Sequence, residues 1–267
     1  MEPDVTSGPH PLALLLRGFC VDWISAGRPE AAEQFLRHDY IAHVGAMSFS
    51  GLDSYIPAVL GQLNAFPGLA LTVHDVALGA DGIAMVFSEH GSAITGEQAS
   101  WRGVGLFTWD GSQLTENWTE EDYYARRRQL SSGVSDPVPP PAVAPWATPQ
   151  EVSNEAALNA VTSWLSEGTL ETTAGVVLDD GLVSSALLDQ HGCVINQCFS
   201  AGSRVAFQAT LTGTFLGGLG VDPAAIGQVA DLGVSGLVSL NSDGSITGQV
   251  VRDRLGLRRS VSSAAGN

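Results

Sequence analysis

The chain has 267 residues, 44% of them hydrophobic, which suits two domains of about 100–150 residues each better than one small core. It carries 28 acidic against 12 basic residues, a formal charge of −16, and every basic residue is an arginine. An acidic chain without lysine excludes Schiff-base aldol chemistry, pyridoxal phosphate anchored in the usual way and a Gly-Lys-Ser/Thr phosphate loop, and it speaks against nucleic acid, whose phosphates require a basic face.

In chain order, residues 1–10 read as a disordered leader. Residues 11–26 place apolar side chains at helical spacing, residues 29–37 open on a first-turn proline, and residues 51–65 give a third helix. Period-two segments follow at 69–78, 83–90, 99–109 and 113–122, punctuated by Gly79 to Gly82, Thr95-Gly96 and Asp110-Gly111. Three helices followed by an antiparallel meander predict an α+β domain over residues 11–133, a curved sheet wrapped around its helices with a pocket on the concave side. No run reaches the roughly 18 apolar residues of a membrane span, so the expectation is a soluble, cytoplasmic chain with no membrane partner. Arg126, Arg127 and Arg128 read as a solvated helix face.

Six of the 13 prolines fall between Asp136 and Pro149, and such a segment joins neither a helix nor a central strand. Residues 134–149 are therefore the expected linker. Beyond it the pattern returns in reduced form over residues 150–260: a helix at 148–166, strands at 204–214, 228–240 and 245–253, and a small-residue tail at 261–267. Asp110-Gly-Ser, Asp122 and Arg126-Arg-Arg recur as Asp243-Gly-Ser, Asp253 and Arg258-Arg, which an internal duplication explains economically. Cys20, Cys193 and Cys198 match no common zinc spacing and are expected as small buried hydrophobes.

These residues resemble the SnoaL-like polyketide cyclases of the nuclear transport factor 2-like superfamily. The resemblance runs through Tyr40 and His43, Phe66-Pro67-Gly-Leu69, Thr95-Gly96, Asp110-Gly111 and Trp118-x-x-x-Asp122, then Thr212 to Gly217 and Asp253-x-x-Gly256 in the second part. It implies two tandem cone-shaped α+β barrels, each open at one end, with acid–base chemistry in an apolar pocket and no metal or organic cofactor. It also makes Asp122 the acid–base group and places His43 in a turn between helices at the pocket mouth.

The residues support parts of this independently. A carboxylate at a strand end, between Trp118 and the pair Tyr123 and Tyr124, is partly desolvated and so raised toward working pH. Glu116, Trp118 and Glu120 share a strand face with Asp122, while Asn117, Thr119 and Glu121 share the other. Inward carboxylates must hold a proton or pair with an arginine, and Arg102 is the expected partner; Glu121 is expected to solvate the strand end. His43 or Tyr40 would hold a substrate oxygen, His90 and Trp101 would face the cavity, and Trp101, Trp118, Tyr123 and Tyr124 would stack on rings. In the second half Asp253, His191 and Arg204 are the plausible pocket groups, and that half is expected to support packing or homo-oligomerisation.

The leading expectation is a cofactor-independent lyase on a hydrophobic aromatic small molecule, by retro-aldol-type or deformylating cleavage, for example of lignin-derived diaryl compounds. Aldol-type cyclisation and isomerisation are the alternatives, as is a module that only binds ligands. Epoxide hydrolysis fits less well, because Arg102 lies between Trp101 and Gly103 instead of between carboxylates.

Overall fold

The computed structural model describes residues 8–181 and 185–264; most of the expected leader and part of the expected tail lie outside the described residues. Helix α1 (Pro11–Arg17) starts at a first-turn proline under a cap in which His10 Nδ1 accepts from the Leu12 amide at 3.2 Å. It runs on as a π-helical segment, Gly18–Ser25. The helix expected at 29–37 is shorter: a 3₁₀ turn, Pro29–Ala31, and α2 (Ala32–Phe35) give way to strand β1 (Leu36–Val44). β1 turns at Gly45, whose φ of +56° suits glycine, into β2 (Met47–Ser50), and α3 (Leu52–Ala65) follows. His43 therefore sits on a strand and not in a turn between helices, because Tyr40, Ala42 and Val44 supply a period-two buried row.

The meander β3 (Ala70–Leu78), β4 (Ile83–Ser92), β5 (Gln98–Trp109) and β6 (Leu114–Glu121) forms as expected and ends in α4 (Tyr123–Ser132). The sheet is mixed: its order is β2-β1-β6-β5-β4-β3, with β1 parallel to β6. The second half holds α5 (Glu155–Ser166), β7 (Val176–Leu178), β8 (Leu188–Ala201), β9 (Arg204–Phe215), β10 (Val229–Leu240), β11 (Ile246–Arg252) and α6 (Arg254–Ala264). Strands β7 and β8 lie outside the sequence-based expectation, and α6 takes in the start of the expected tail, burying Val261. The order β7-β11-β10-β9-β8, with β7 parallel to β11, repeats that of β1-β6-β5-β4-β3.

The likeness extends to detail. Asp110 and Asp243 each accept from the amide and hydroxyl of the serine two residues on, and Asp122 and Asp253 each accept from the backbone amide three residues on. The amides of the two aspartates also donate to matching carbonyls of the neighbouring strand, Asp122 to Arg102 O and Asp253 to Gly233 O, each at 2.8 Å.

Each half has its own core, and a third apolar layer lies between the sheets, where Val86, Val104 and Leu106 meet Phe199, Leu237 and Val251. Both faces of β5 and β6 are therefore covered. The proline-rich segment is pinned along β3: the Ala142 amide donates to Val73 O, His74 Nδ1 bonds Pro140 O, and Trp146 packs on the first core. Cys20 is buried, whereas Cys193 and Cys198 are only half-buried on β8. No helix among the described residues is long and apolar enough to cross a membrane.

Candidate functional site

The first half encloses a cavity of about 120 Å³ between its helices and the concave face of its sheet. Strand parity decides what looks into it. From β4 come Met85, Phe87 and Glu89; from β6 come Asn117, Thr119 and Glu121; α3 adds Tyr55 and Gln62. On β5 glycines keep the space open, since a Cβ at Gly103 would lie 2.3 Å from the Phe87 ring. The rest of the wall is apolar, from Phe19 and Ile24 to Leu69 and Phe107.

At one end of this cavity two carboxyl groups meet. Glu89 and Glu121 are buried and hydrogen-bonded to each other. Burial pushes both above the usual carboxylate range, and Glu89 is raised further by the Glu121 charge. Glu121 also accepts from Trp101 Nε1 at 2.7 Å and from the Tyr123 hydroxyl, and Arg126 lies close enough to favour its ionised form. The Glu121 charge thus favours the protonated form of Glu89, while Trp101, Tyr123 and Arg126 favour the ionised form of Glu121. Gln62 Nε2 donates to Glu89, and Arg126 Nη1 donates to Gln62 Oε1 at 3.3 Å. The Arg126 guanidinium is held over the rings of Tyr123 and Trp101, 4.3 and 4.9 Å from their centroids.

A second polar chain borders the cavity. The Tyr40 hydroxyl donates to Asn117 Oδ1 at 2.9 Å, and Asn117 Nδ2 donates to Thr119 Oγ1 at 2.7 Å. Burial pushes the phenols of Tyr40, Tyr55 and Tyr123 up, so all three stay neutral donors.

Of the expected site residues, Tyr123 lines the cavity, Trp101 packs beside it against Phe66 and holds Glu121, and Tyr40 stands behind Asn117. The rest lie elsewhere. Glu116, Trp118 and Glu120 project from the convex face of β6, where His43 stacks on Trp118 at 3.6 Å between centroids and bonds Glu116 Oε1 at 3.0 Å and Ser48 Oγ at 2.8 Å. Arg102 also faces outward, donating to Gln249 Oε1 of the second half at 3.0 Å and not to an inward carboxylate. His90 bonds Thr72 Oγ1 on the outer side of β4. Tyr124 lies under the Arg254 guanidinium at 5.1 Å.

Asp122 caps α4 and is clamped by Arg254, which it shares with Asp179 and Asp180. Burial and Asp179 push its carboxyl up to about 6 against the pull of Arg254. Strand parity turns His43, Glu116, His90 and Arg102 away from the cavity, and Arg102, Trp118, Glu120, Asp122 and Tyr124 meet residues of the second half instead.

The residues that sequence reasoning missed, Glu89, Glu121 and Gln62, carry a faint signal. Glu89 ends the apolar row of Met85 and Phe87, and Glu121 ends the inward row of Asn117 and Thr119. Arg126 belongs with them and not on a solvated face; of the three arginines only Arg127 is exposed. In the second half the matching caps and strand pairs put Leu211 where Glu89 stands, Val250 where Thr119 stands and Arg252 where Glu121 stands. Its expected pocket groups do not converge. Arg204 donates to Val76 O and pairs with Asp75 of the first half, His191 is exposed, and Asp253 caps α6. Among the described residues no three His, Cys, Asp or Glu side chains are grouped as metal ligands.

No curated protein matches the chain. Solved structures similar to it include TsrD from Streptomyces laurentii, at 19% identity with a TM-score of 0.41 over 45% of this chain and 93% of that one. IdmH from Streptomyces antibioticus, a candidate polyketide cyclase, is 16% identical with a TM-score of 0.42 over 46% and 99%. A candidate SnoaL-like polyketide cyclase from Jannaschia sp. CCS1 is 18% identical with a TM-score of 0.42 over 50% and 99%. Residues 14–130, which build the cavity and the carboxyl pair, match the family model of the SnoaL-like polyketide cyclases.

Proposed function

We propose that the first half is a cofactor-independent acid–base enzyme that makes or breaks a carbon–carbon bond beside a carbonyl group, with Glu121 as base and Glu89 as acid. The carrying observation is the contact of two buried carboxyl groups in an apolar cavity, an arrangement that favours one shared proton and splits acid and base roles between like groups. In the cleavage direction Glu121 takes the proton of a β-hydroxyl, the carbon–carbon bond breaks to leave an enolate, and Glu89 protonates that carbon. In the cyclising direction Glu121 takes the α-proton, the enolate attacks a second carbonyl, and Glu89 protonates the resulting alkoxide. Neutral Tyr55 and Thr119 in the cavity wall would donate to the developing oxyanion.

Size bears on the substrate. An apolar cavity of about 150 Å³ holds benzene, so about 120 Å³ suits one ring or a short diketone. A lignin-type diaryl compound would keep its second ring at the mouth.

The test is turnover of one-ring β-hydroxy ketones, 1,3-diketones and diaryl dimers by Glu121→Gln, Glu89→Gln and Asp122→Asn. We expect a loss of about 100-fold or more for Glu121→Gln and near-normal rates for Asp122→Asn. Full activity in Glu121→Gln would remove the pair from the mechanism.

A further inference from the structure

Beside the apolar layer that joins the sheets, the halves diverge around a cleft of about 460 Å³, bordered by the turn after β1, by β6, β9 and β10, and by α6. The cleft holds a buried titratable group that the proposed reaction does not use. Glu120 is 1% exposed, and its Oε1 accepts from Gln208 Nε2 at 3.1 Å. Gln208 is itself held by Asn196 Nδ2, 2.8 Å from its Oε1. This relay fixes the carboxyl, yet its Oε2 is buried without a hydrogen-bond partner, and so is Gln228 Oε1 in the same cleft.

A buried acceptor left unpaired has lost its water without a replacement partner and calls for an explanation. The backbone makes room for this one, since a Cβ at residue 233 would lie 2.4 Å from Glu120 Oε1, and only Gly233 admits the carboxyl. Asp253 and Asp231 also border the cleft, and among its described lining residues there is no arginine. Burial and the Asp253 charge hold Glu120 well above the usual carboxylate range, so the cleft by itself favours its protonated form and a cation placed beside it favours the ionised one.

Two unpaired acceptor oxygens in an acidic cleft call for a ligand rich in donors and positively charged. Trp118, Leu257 and Val261 supply an apolar wall and an aromatic ring, which suits a cation carried on a hydrocarbon body better than a bare metal ion. We propose that this cleft binds a small organic ammonium ion through Glu120 and Gln228, at a site separate from the first-half cavity.

Titration calorimetry on the full chain tests this with cyclohexylamine and cyclohexanol, which have the same ring and differ in donor count and charge. Saturable one-to-one binding of the amine, at least tenfold tighter than the alcohol, is expected. Glu120→Gln keeps an acceptor for Gln208 but turns a donor into the cleft; with its fold verified by circular dichroism, it should weaken the amine at least tenfold. Glu89→Gln, in the cavity, should leave amine binding unchanged, so failure here and failure of the cavity reading are distinguishable. Equal binding of amine and alcohol, amine binding untouched by Glu120→Gln, displacement of the amine by equimolar magnesium, or no saturable binding at tens of millimolar would each overturn the proposal.

Discussion

At the scale of single residues, the chemistry turns on which carboxyl group is dry and which is paired. The strand end Glu120-Glu121-Asp122 puts three adjacent acids into three different environments: Glu120 into the cleft between halves, Glu121 into the cavity, and Asp122 into a clamp with Arg254. The sequence made it plain that three neighbouring carboxylates could not all ionise cheaply, but which one faced the cavity depended on the direction of a single pleat. Arg126 then biases the pair of Glu89 and Glu121 toward the ionised form without touching a substrate. As the base, Glu121 must be ionised, so turnover should fall as pH is lowered through its raised pKa. Removing the Arg126 charge raises that pKa further. Arg126→Met should therefore move the acid limb of the rate profile to higher pH, while Arg127→Met, on the exposed face, should leave it in place. An unmoved limb in Arg126→Met would reduce that residue to a packing role.

Among the elements, those with strong periodic patterns were legible and those defined by partners were not. The four strands of the first meander announce themselves by alternation and by turns at Gly82, Gly96 and Gly111. β1 did not, because Leu36 to Val44 mixes charged and apolar residues and its order comes from parallel pairing with β6. The same holds for β7, three residues long and paired parallel with β11. Glycine in the middle of β5 is informative in hindsight: Gly103 and Gly105 leave the concave face bare where Phe87 and Thr119 need room. At Gly103→Ala the new methyl group would meet the Phe87 ring, which lines the cavity and has no slack in the core. We expect a loss of about 1–3 kcal/mol by denaturant unfolding, as for other overpacked cores, together with a raised KM as the ring moves into the ligand space. A stable variant with unchanged KM would show that the sheet yields instead of the ring.

For the whole molecule, the governing fact is that a buried seam of charges, crossed by the Arg254–Asp122 pair, joins the halves. Arg252 and Arg254 are divided among Asp122, Asp179, Asp180 and Glu171, and a separate, exposed pair joins Arg204 to Asp75. The sequence foretold two halves and their matching turns but not this seam, because composition does not reveal which acids lie opposite which arginines across 130 residues of chain. The seam, the cavity and the cleft together hold five carboxyl groups raised above their ordinary range: Glu89, Glu120, Glu121, Asp122 and Asp253. Each binds its proton more tightly folded than unfolded, so each adds stability as pH falls through its raised pKa and withholds it above. His74 and His90 act in the opposite sense, since their lowered values make the folded state bind fewer protons near pH 6.5. They are only partly buried, however, and are outnumbered by the carboxyl groups. The surface acids Asp39, Glu97, Asp110 and Asp243 are lowered but exposed, where solvent screens their contribution. Lowering the pH also relieves the self-repulsion of a chain with a formal charge of −16. The urea midpoint should therefore rise as pH falls from about 8 to about 6. Asp122→Asn should flatten the part of that rise near pH 6, where its carboxyl, pushed up to about 6, takes up its proton. A midpoint that stays level or drops over this range would mean that the seam keeps its carboxylates ionised through their arginines, and that burial is not the dominant influence on them.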